Sequence, residues 1–229
     1  MIGTLLVAAT CICGTAPERE MDFYWENDLV GFRAYGPKDA HCWSGIDLFV
    51  KKVSTNAVVH LLRHNHGQFG NWHLNKNPLA FDDYTIGASR GCGAVALWAD
   101  GEWKTYPNWE KATVIHEGDD YLEFELVYPS FSAMGKMKYH ITMKAGDNFF
   151  RNDVSFERPK RMAKDWKVGP GLFPDPKCSA KPFVRTLPGE EGKVEKLKDH
   201  LGSEILAFKT PSFSYIAGFE SNLTPKPNK

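Results

Sequence analysis

From Lys136 to Lys144 the chain alternates: Tyr139, Ile141 and Met143 take turns with Lys138, His140, Thr142 and Lys144. A period of two sorts side chains onto two faces only in a β-strand, one face for a core and one polar. Ala145-Gly146-Asp147 then turns the chain back into a second strand, Phe149 to Phe156. The pattern recurs. Asp100-Gly101 is the turn of a hairpin over 94–106, and Glu117-Gly118-Asp119 joins strands at 112–115 and 121–128. Further strands are expected at 46–53, 57–64, 204–209 and 213–220. Short strands with turn residues between them define an all-β chain folded as an antiparallel β-sandwich. There is no repeat of fixed period and no Rossmann pattern.

The stretch 158–200 breaks the alternation. Its prolines, Gly169-Pro170-Gly171 and a Lys/Arg run read as an irregular loop, with Arg158-Pro159-Lys160-Arg161 solvated. Val194, Leu197 and Leu201 are spaced for one short amphipathic helix near 193–201, closed by Gly202. Residues 1–221 are expected to form one domain, with 222–229 a disordered tail that carries the weak glycosylation sequon Asn222-Leu223-Thr224. Met1 to Ala16 is apolar but has no Lys or Arg ahead of it, so it reads as a strand and not as a convincing signal peptide. No apolar run reaches the length of a bilayer span.

Lys+Arg and Asp+Glu both number 28, a balance that argues against nucleic acid as a partner. The 7 Trp and 8 Tyr suit stacking on sugar rings, and equally an aromatic core. The 5 cysteines include no Cys-x-x-Cys pair, so a zinc knuckle or a thioredoxin-like motif is not expected. Cys11 and Cys13 read as buried thiols on one strand face. The glycines from Gly87 to Gly93 lead into a strand, with no Gly-Lys-Ser/Thr, so they are not a phosphate loop.

Two clusters carry chemistry. The first is Asp22–Pro37, where Glu26, Asn27, Asp28, Arg33 and Tyr35 are set among Phe23, Tyr24, Trp25 and Phe32. Arg33 and Tyr35 share a strand face. The guanidinium reads two ways, as an internal ion pair with Glu26 or Asp28, or as a ligand-binding group. Glu26 and Asp28 as paired carboxylates lie too close to straddle a glycosidic bond, which counts against hydrolysis. The second cluster is Arg63-His64-Asn65-His66-Gly67 with His73, Asp82, Asp83 and Tyr84. If a strand runs to His66, then His64 and His66 face one way. With Asp83 they offer a weak divalent-cation alternative, and general acid–base work is the more economical role. No other cofactor and no resident metal is expected.

The stretches 17–28 and 32–37 resemble the signature of a former domain-of-unknown-function family of bacterial polysaccharide-utilisation loci, one branch of which is the ulvan oligosaccharide dehydratases. The likeness continues through Ser44-Gly45-Ile46-Asp47, His66-Gly67, Asp83-Tyr84, Gly87, Arg90-Gly91-Cys92-Gly93 and Leu97-Trp98-Ala99-Asp100-Gly101, and more weakly to 215–218. Members of that family are usually longer at both ends, and the loop 67–82 and the stretch 158–200 depart from its pattern.

The resemblance implies a galactose mutarotase-like β-sandwich that removes water from a non-reducing-end uronic acid of an oligosaccharide, leaving a 4,5-unsaturated uronate. It also implies a periplasmic or secreted setting. The residue types suit that chemistry. Arg33 or Arg90 would neutralise the carboxylate, His66 would be the base, and Tyr84 or Tyr35 the acid. Glu26, Asp28, Asn27, Trp25, His64 and Asp83 would orient or bind the sugar. The alternatives are a polysaccharide lyase using the same elimination and a non-catalytic carbohydrate-binding sandwich.

Overall fold

The computed structural model describes residues 10–39, 44–64, 70–86, 89–131, 135–157, 165–190 and 193–220. They form three antiparallel sheets. The first runs β1 (Ile12–Ala16), β2 (Asp22–Glu26), β3 (Val30–Ala34), β4 (Ile46–Lys51) and β5 (Ala80–Phe81), each strand beside the next. The second has the order β13 (Lys181–Thr186), β16 (Ser212–Glu220), β11 (Phe149–Phe156), β10 (Met137–Lys144), β9 (Tyr121–Tyr128), β8 (Lys111–His116). The third is β14 (Glu195–Lys198), β15 (Glu204–Ala207), β12 (Lys167–Leu172), β6 (Cys92–Ala99), β7 (Glu102–Thr105). An all-β sandwich is therefore the fold.

One apolar core joins the sheets. Phe23, Trp25, Phe32 and Leu48 of the first meet Phe124, Ile141 and Phe150 of the second and Val95, Leu97 and Val168 of the third. Trp25 stacks on Phe32 with ring centroids 5.5 Å apart and meets Phe150 edge-on at 5.3 Å, geometries that add to the burial of the rings. Among the described residues no helix is long and apolar enough to cross a membrane.

Residues 57–64 are not a strand. They hold α1 (Val58–His64), which lays Val58, Val59, Leu61 and Leu62 on the face of the first sheet opposite the main core. Its free N-terminal amides are satisfied from outside: Glu26 accepts the N–H of Ala57 at 2.8 Å and of Val59 at 3.0 Å. A Cβ on Gly31 would sit 2.3 Å from Val58 Cγ2, so only glycine lets β3 and the helix approach this closely.

The stretch 158–200 is also more regular than its composition suggests. Gly169-Pro170-Gly171 lies inside β12, at the irregular step where Pro170 pairs with Val95 and Leu172 with Cys92. The helix expected near 193–201 is instead β14 and its turn, with Leu197 opposite Ile205. Asp199 closes that turn by accepting the N–H of Leu201 and Ser203, both at 2.9 Å, and Gly202 takes φ +83 within it. The tail 222–229 lies outside the described residues.

Candidate functional site

Alternation places a row of charges on the helix side of the first sheet. Asp22, Tyr24 and Glu26 of β2 share that face with Gly31 and Arg33 of β3 and Asp47, Phe49 and Lys51 of β4. All are buried, and they sort into two centres.

At one end Lys51 Nζ lies 2.8 Å from Glu26 Oε2, with neither side chain exposed. Lys51 also donates to the Asn27 carbonyl. Glu26 is thus committed to Lys51 and to α1. Asp28, two residues on, turns away and accepts the N–H of Gly146 at 2.8 Å, while Asn27 Nδ2 donates to the carbonyls of Lys144 and Asp147. Trp25 points into the main core.

At the other end lies Arg33, 2% exposed. Its partners are not Glu26 and Asp28. The register sets Arg33 directly opposite Asp47, whose Oδ2 accepts from Nη2 at 2.7 Å and Nε at 3.0 Å. Asp22 Oδ2 accepts from Nη1 at 3.2 Å, and Asp82 Oδ2 stands 3.7 Å from Nη2. Tyr35 Oη accepts from Nη2 at 3.2 Å, so Arg33 and Tyr35 do share a face. Burial alone would lower the Arg33 pKa, but Tyr35 and the three carboxylates outweigh it and hold the guanidinium charged.

Three carboxylates around one guanidinium leave an excess of acid. Asp82 absorbs it. Burial, with the Asp47 carboxylate beside it, pushes the Asp82 carboxyl up to about 7. Asp82 also leads to the surface. Its Oδ2 is 3.4 Å from His73 Nδ1, and the His73 side chain is 54% exposed. The hydrogen bond to Asp82 raises the imidazole pKa. The two groups form a coupled acid–base pair, one half buried and one half exposed.

The remaining candidates are spread through the fold. Tyr84 is buried and donates its hydroxyl to the Phe173 carbonyl at 2.7 Å, and burial raises its pKa. Asp83 accepts the N–H of Ser179 at 2.9 Å. Arg90 is 2% exposed, donates to Thr105 Oγ1 at 2.5 Å and lies 3.8 Å from Asp199. His64 is exposed at the end of α1. His66, Cys42 and Gly87 lie outside the described residues. Cys11, Cys13, Cys92 and Cys178 are free thiols, and burial pushes Cys11 up to about 11 and Cys92 up to about 12, away from reactivity. Among the described residues no group of three or more His, Cys, Asp or Glu side chains is arranged to hold a metal ion.

The structure therefore brings together Arg33, Tyr35, Asp22, Asp47, Asp82 and His73, and separates them from Glu26, Asp28 and Arg90. Sequence reasoning placed His73 and Asp82 in the second cluster without a role, and gave none to Asp22 and Asp47. Their signal was alternation: both fall on the Arg33 face once the strands are registered.

Comparison with known proteins agrees with the resemblance at the level of family. A protein of Formosa agariphila described as "Uncharacterized protein P7" is 29% identical over 157 residues, which take in 63% of this chain and 40% of that protein. The chain thus spans about 40% of the length of the curated relative it matches. No solved structure matches. Residues 7–179, well over half of the chain and including every member of the Arg33 centre, match the family described as "Domain of unknown function (DUF4861)", and the chain belongs to that family.

Proposed function

We propose that the chain is a carbon–oxygen lyase of the dehydratase type, removing water from a non-reducing-end uronic acid of an oligosaccharide such as an ulvan fragment. The observation that carries the reading is the Asp82–His73 pair: a half-exposed imidazole held by a buried carboxyl that titrates near neutrality. Elimination needs a group that takes up and returns a proton at working pH, and this pair is one.

His73 takes the proton from the carbon beside the sugar carboxylate. In this scheme Nδ1 is turned to Asp82 and Nε2 acts as the base. The C–H electron pair becomes the new double bond and the C–O bond to the neighbouring hydroxyl breaks. The imidazolium, stabilised by Asp82, returns its proton to the departing oxygen, which leaves as water. Arg33 does not seat the substrate in this scheme. It is saturated by its own carboxylates and serves by holding Asp82 in place. Such an enzyme belongs where polymer fragments arrive, in the periplasm or outside the cell.

The test is incubation with saturated uronate-ended oligosaccharides, read by mass spectrometry and ultraviolet absorbance. Loss of one water, with rising absorbance that His73→Ala abolishes, supports the reading. Unchanged masses, or full activity in His73→Ala, overturns it. Shortening of a polymer substrate without loss of water moves the chain to the polysaccharide lyases instead.

A further inference from the structure

Asp82 is the first residue after β5, where the regular pairing of the first sheet has ended. From there 83–86 run on without a strand partner, and their anchors lie in the connection from β12 of the third sheet to β13 of the second. Tyr84 Oη donates to the Phe173 carbonyl at 2.7 Å. The Thr85 N–H donates to Asp175 Oδ2 at 2.7 Å. Asp83 accepts twice, from the Ser179 N–H at 2.9 Å through Oδ2 and from the Cys178 thiol at 3.4 Å through Oδ1.

The receiving segment is itself tied down. Phe173 donates its N–H to Gly91 at 3.1 Å, and Asp175 Oδ1 accepts the N–H of Lys177 at 2.9 Å. Burial would raise the Asp175 carboxyl, but the N–H groups of Lys177 and Thr85 outweigh it and hold it below its ordinary value. The Tyr84 ring is 4% exposed. The clasp is thus a set of four hydrogen bonds onto fixed partners, two of them charge-assisted and short.

Its consequence reaches Asp82 through one further bond. The Tyr84 N–H donates to Asp82 Oδ1 at 3.2 Å. With Oδ1 occupied, Oδ2 is the oxygen that faces Arg33 and His73. A carboxylate free to rotate would share both oxygens among these partners. One held by Tyr84 presents a single oxygen to the imidazole.

We propose that Asp83 and Tyr84 are positioning residues for the Asp82–His73 pair, fixing the Asp82 carboxylate by clasping its segment to the β12–β13 connection. The inference rests on reading that pair as the proton-transfer site. It gives both residues of the Asp83-Tyr84 motif a task without placing either in contact with substrate, and it makes the β12–β13 connection a support for chemistry on the first sheet.

The experiment is an NMR titration of the His73 imidazole in the full chain and in Asp83→Ala, Asp83→Asn and Tyr84→Phe, with steady-state kinetics on a uronate-ended oligosaccharide beside it. Tyr84→Phe loses one oxygen and serves if Asp83→Ala does not fold. The expected result is a His73 pKa that falls toward its ordinary value in Asp83→Ala and Tyr84→Phe. kcat should fall on the order of 10- to 100-fold in Asp83→Ala with KM little changed, as for a displaced catalytic group. Asp83→Asn, which keeps one acceptor oxygen, should recover part of both. A His73 titration unchanged in Asp83→Ala and Tyr84→Phe overturns the proposal. A His73 titration that responds in a chain dehydrating no uronate supports the positioning role and removes the proposed reaction.

Discussion

Arg33 and Arg90 are equally hidden, each 2% exposed, and are supplied in opposite ways. Arg33 has two carboxylates within 3.2 Å, a third at 3.7 Å and a phenol. Arg90 has one hydroxyl at 2.5 Å, one carboxylate at 3.8 Å, and no hydrogen-bond partner for Nε among the described residues. The outcomes diverge accordingly. Burial lowers the Arg90 pKa, whereas the carboxylates around Arg33 reverse the effect of burial. Burial alone does not make a site. Where carboxylates outnumber the cation, the surplus acid has a perturbed pKa and meets a half-exposed histidine. Where they fall short, the result is a structural tie from the segment before β6 to β7 and the β14–β15 turn.

The largest expected effect tests that difference directly. Arg33→Met would strand Asp22, Asp47 and Asp82 in a buried site without a counter-charge, which costs about 3–5 kcal/mol and threatens folding altogether. Arg90→Met removes a poorly paired cation and leaves Asp199 with two backbone donors, so about 1–2 kcal/mol is expected. Urea unfolding at neutral pH measures both. Equal losses in the two variants would break the contrast.

A smaller effect follows from the surplus proton. The groups facing the Asp82 carboxylate are Asp47 from β4, Arg33 from β3 and His73 from the loop before β5, with Asp22 and Tyr35 acting through Arg33. Its folded pKa of about 7 lies above the ordinary 3.8, so the folded state binds the proton more tightly. The stability this contributes is full below 3.8 and is lost as pH rises toward 7. The raised His73 pKa has the same sign, with its loss beginning above its ordinary value of 6.5. Unfolding of the chain and of Asp82→Asn, compared from acid to mildly alkaline pH, should show the wild-type advantage shrinking by about 2–4 kcal/mol. Parallel curves would mean that the carboxyl titrates normally and that no surplus exists.

The hairpins around these arginines were legible in the sequence because they are local. Asp100 and Gly101 take φ 57 and φ 84, the left-handed pair that a two-residue hairpin turn demands, and the alternation on either side fixes the faces. What depends on distant partners was not legible. Val58, Val59, Leu61 and Leu62 have helical spacing, and Arg63 and His64 suit a helix end, yet β-branched residues favoured a strand reading. The deciding group is Glu26, thirty-one residues before Ala57, which caps the helix from β2. Gly169-Pro170-Gly171 suggested a loop because a strand irregularity needs the same residues as a turn. At the site, alternation put Arg33 and Tyr35 together, but only register shows that Asp47 stands opposite Arg33. His73 and Asp82 were visible as chemistry. Their pairing was not, because it requires the end of β5 to lie against β4.

The smallest effects refine the contrast from the side of the hydroxyl partners. Tyr35→Phe takes one oxygen from an arginine that keeps its bonds to Asp47 and Asp22. An oversupplied cation should register the loss weakly, at about 0.5 kcal/mol. Thr105→Val takes from Arg90 its nearest acceptor and leaves a buried N–H group facing a methyl, so about 1–2 kcal/mol is expected although the deleted group is again one hydroxyl. Thermal or urea unfolding of both variants at one pH measures the two losses. The chemistry removed is alike in the two variants, so the ranking depends on what each arginine has left. Should Tyr35→Phe prove the costlier, the Tyr35 hydroxyl would be a needed ligand of Arg33, and the carboxylates around that guanidinium would be fewer in effect than in number.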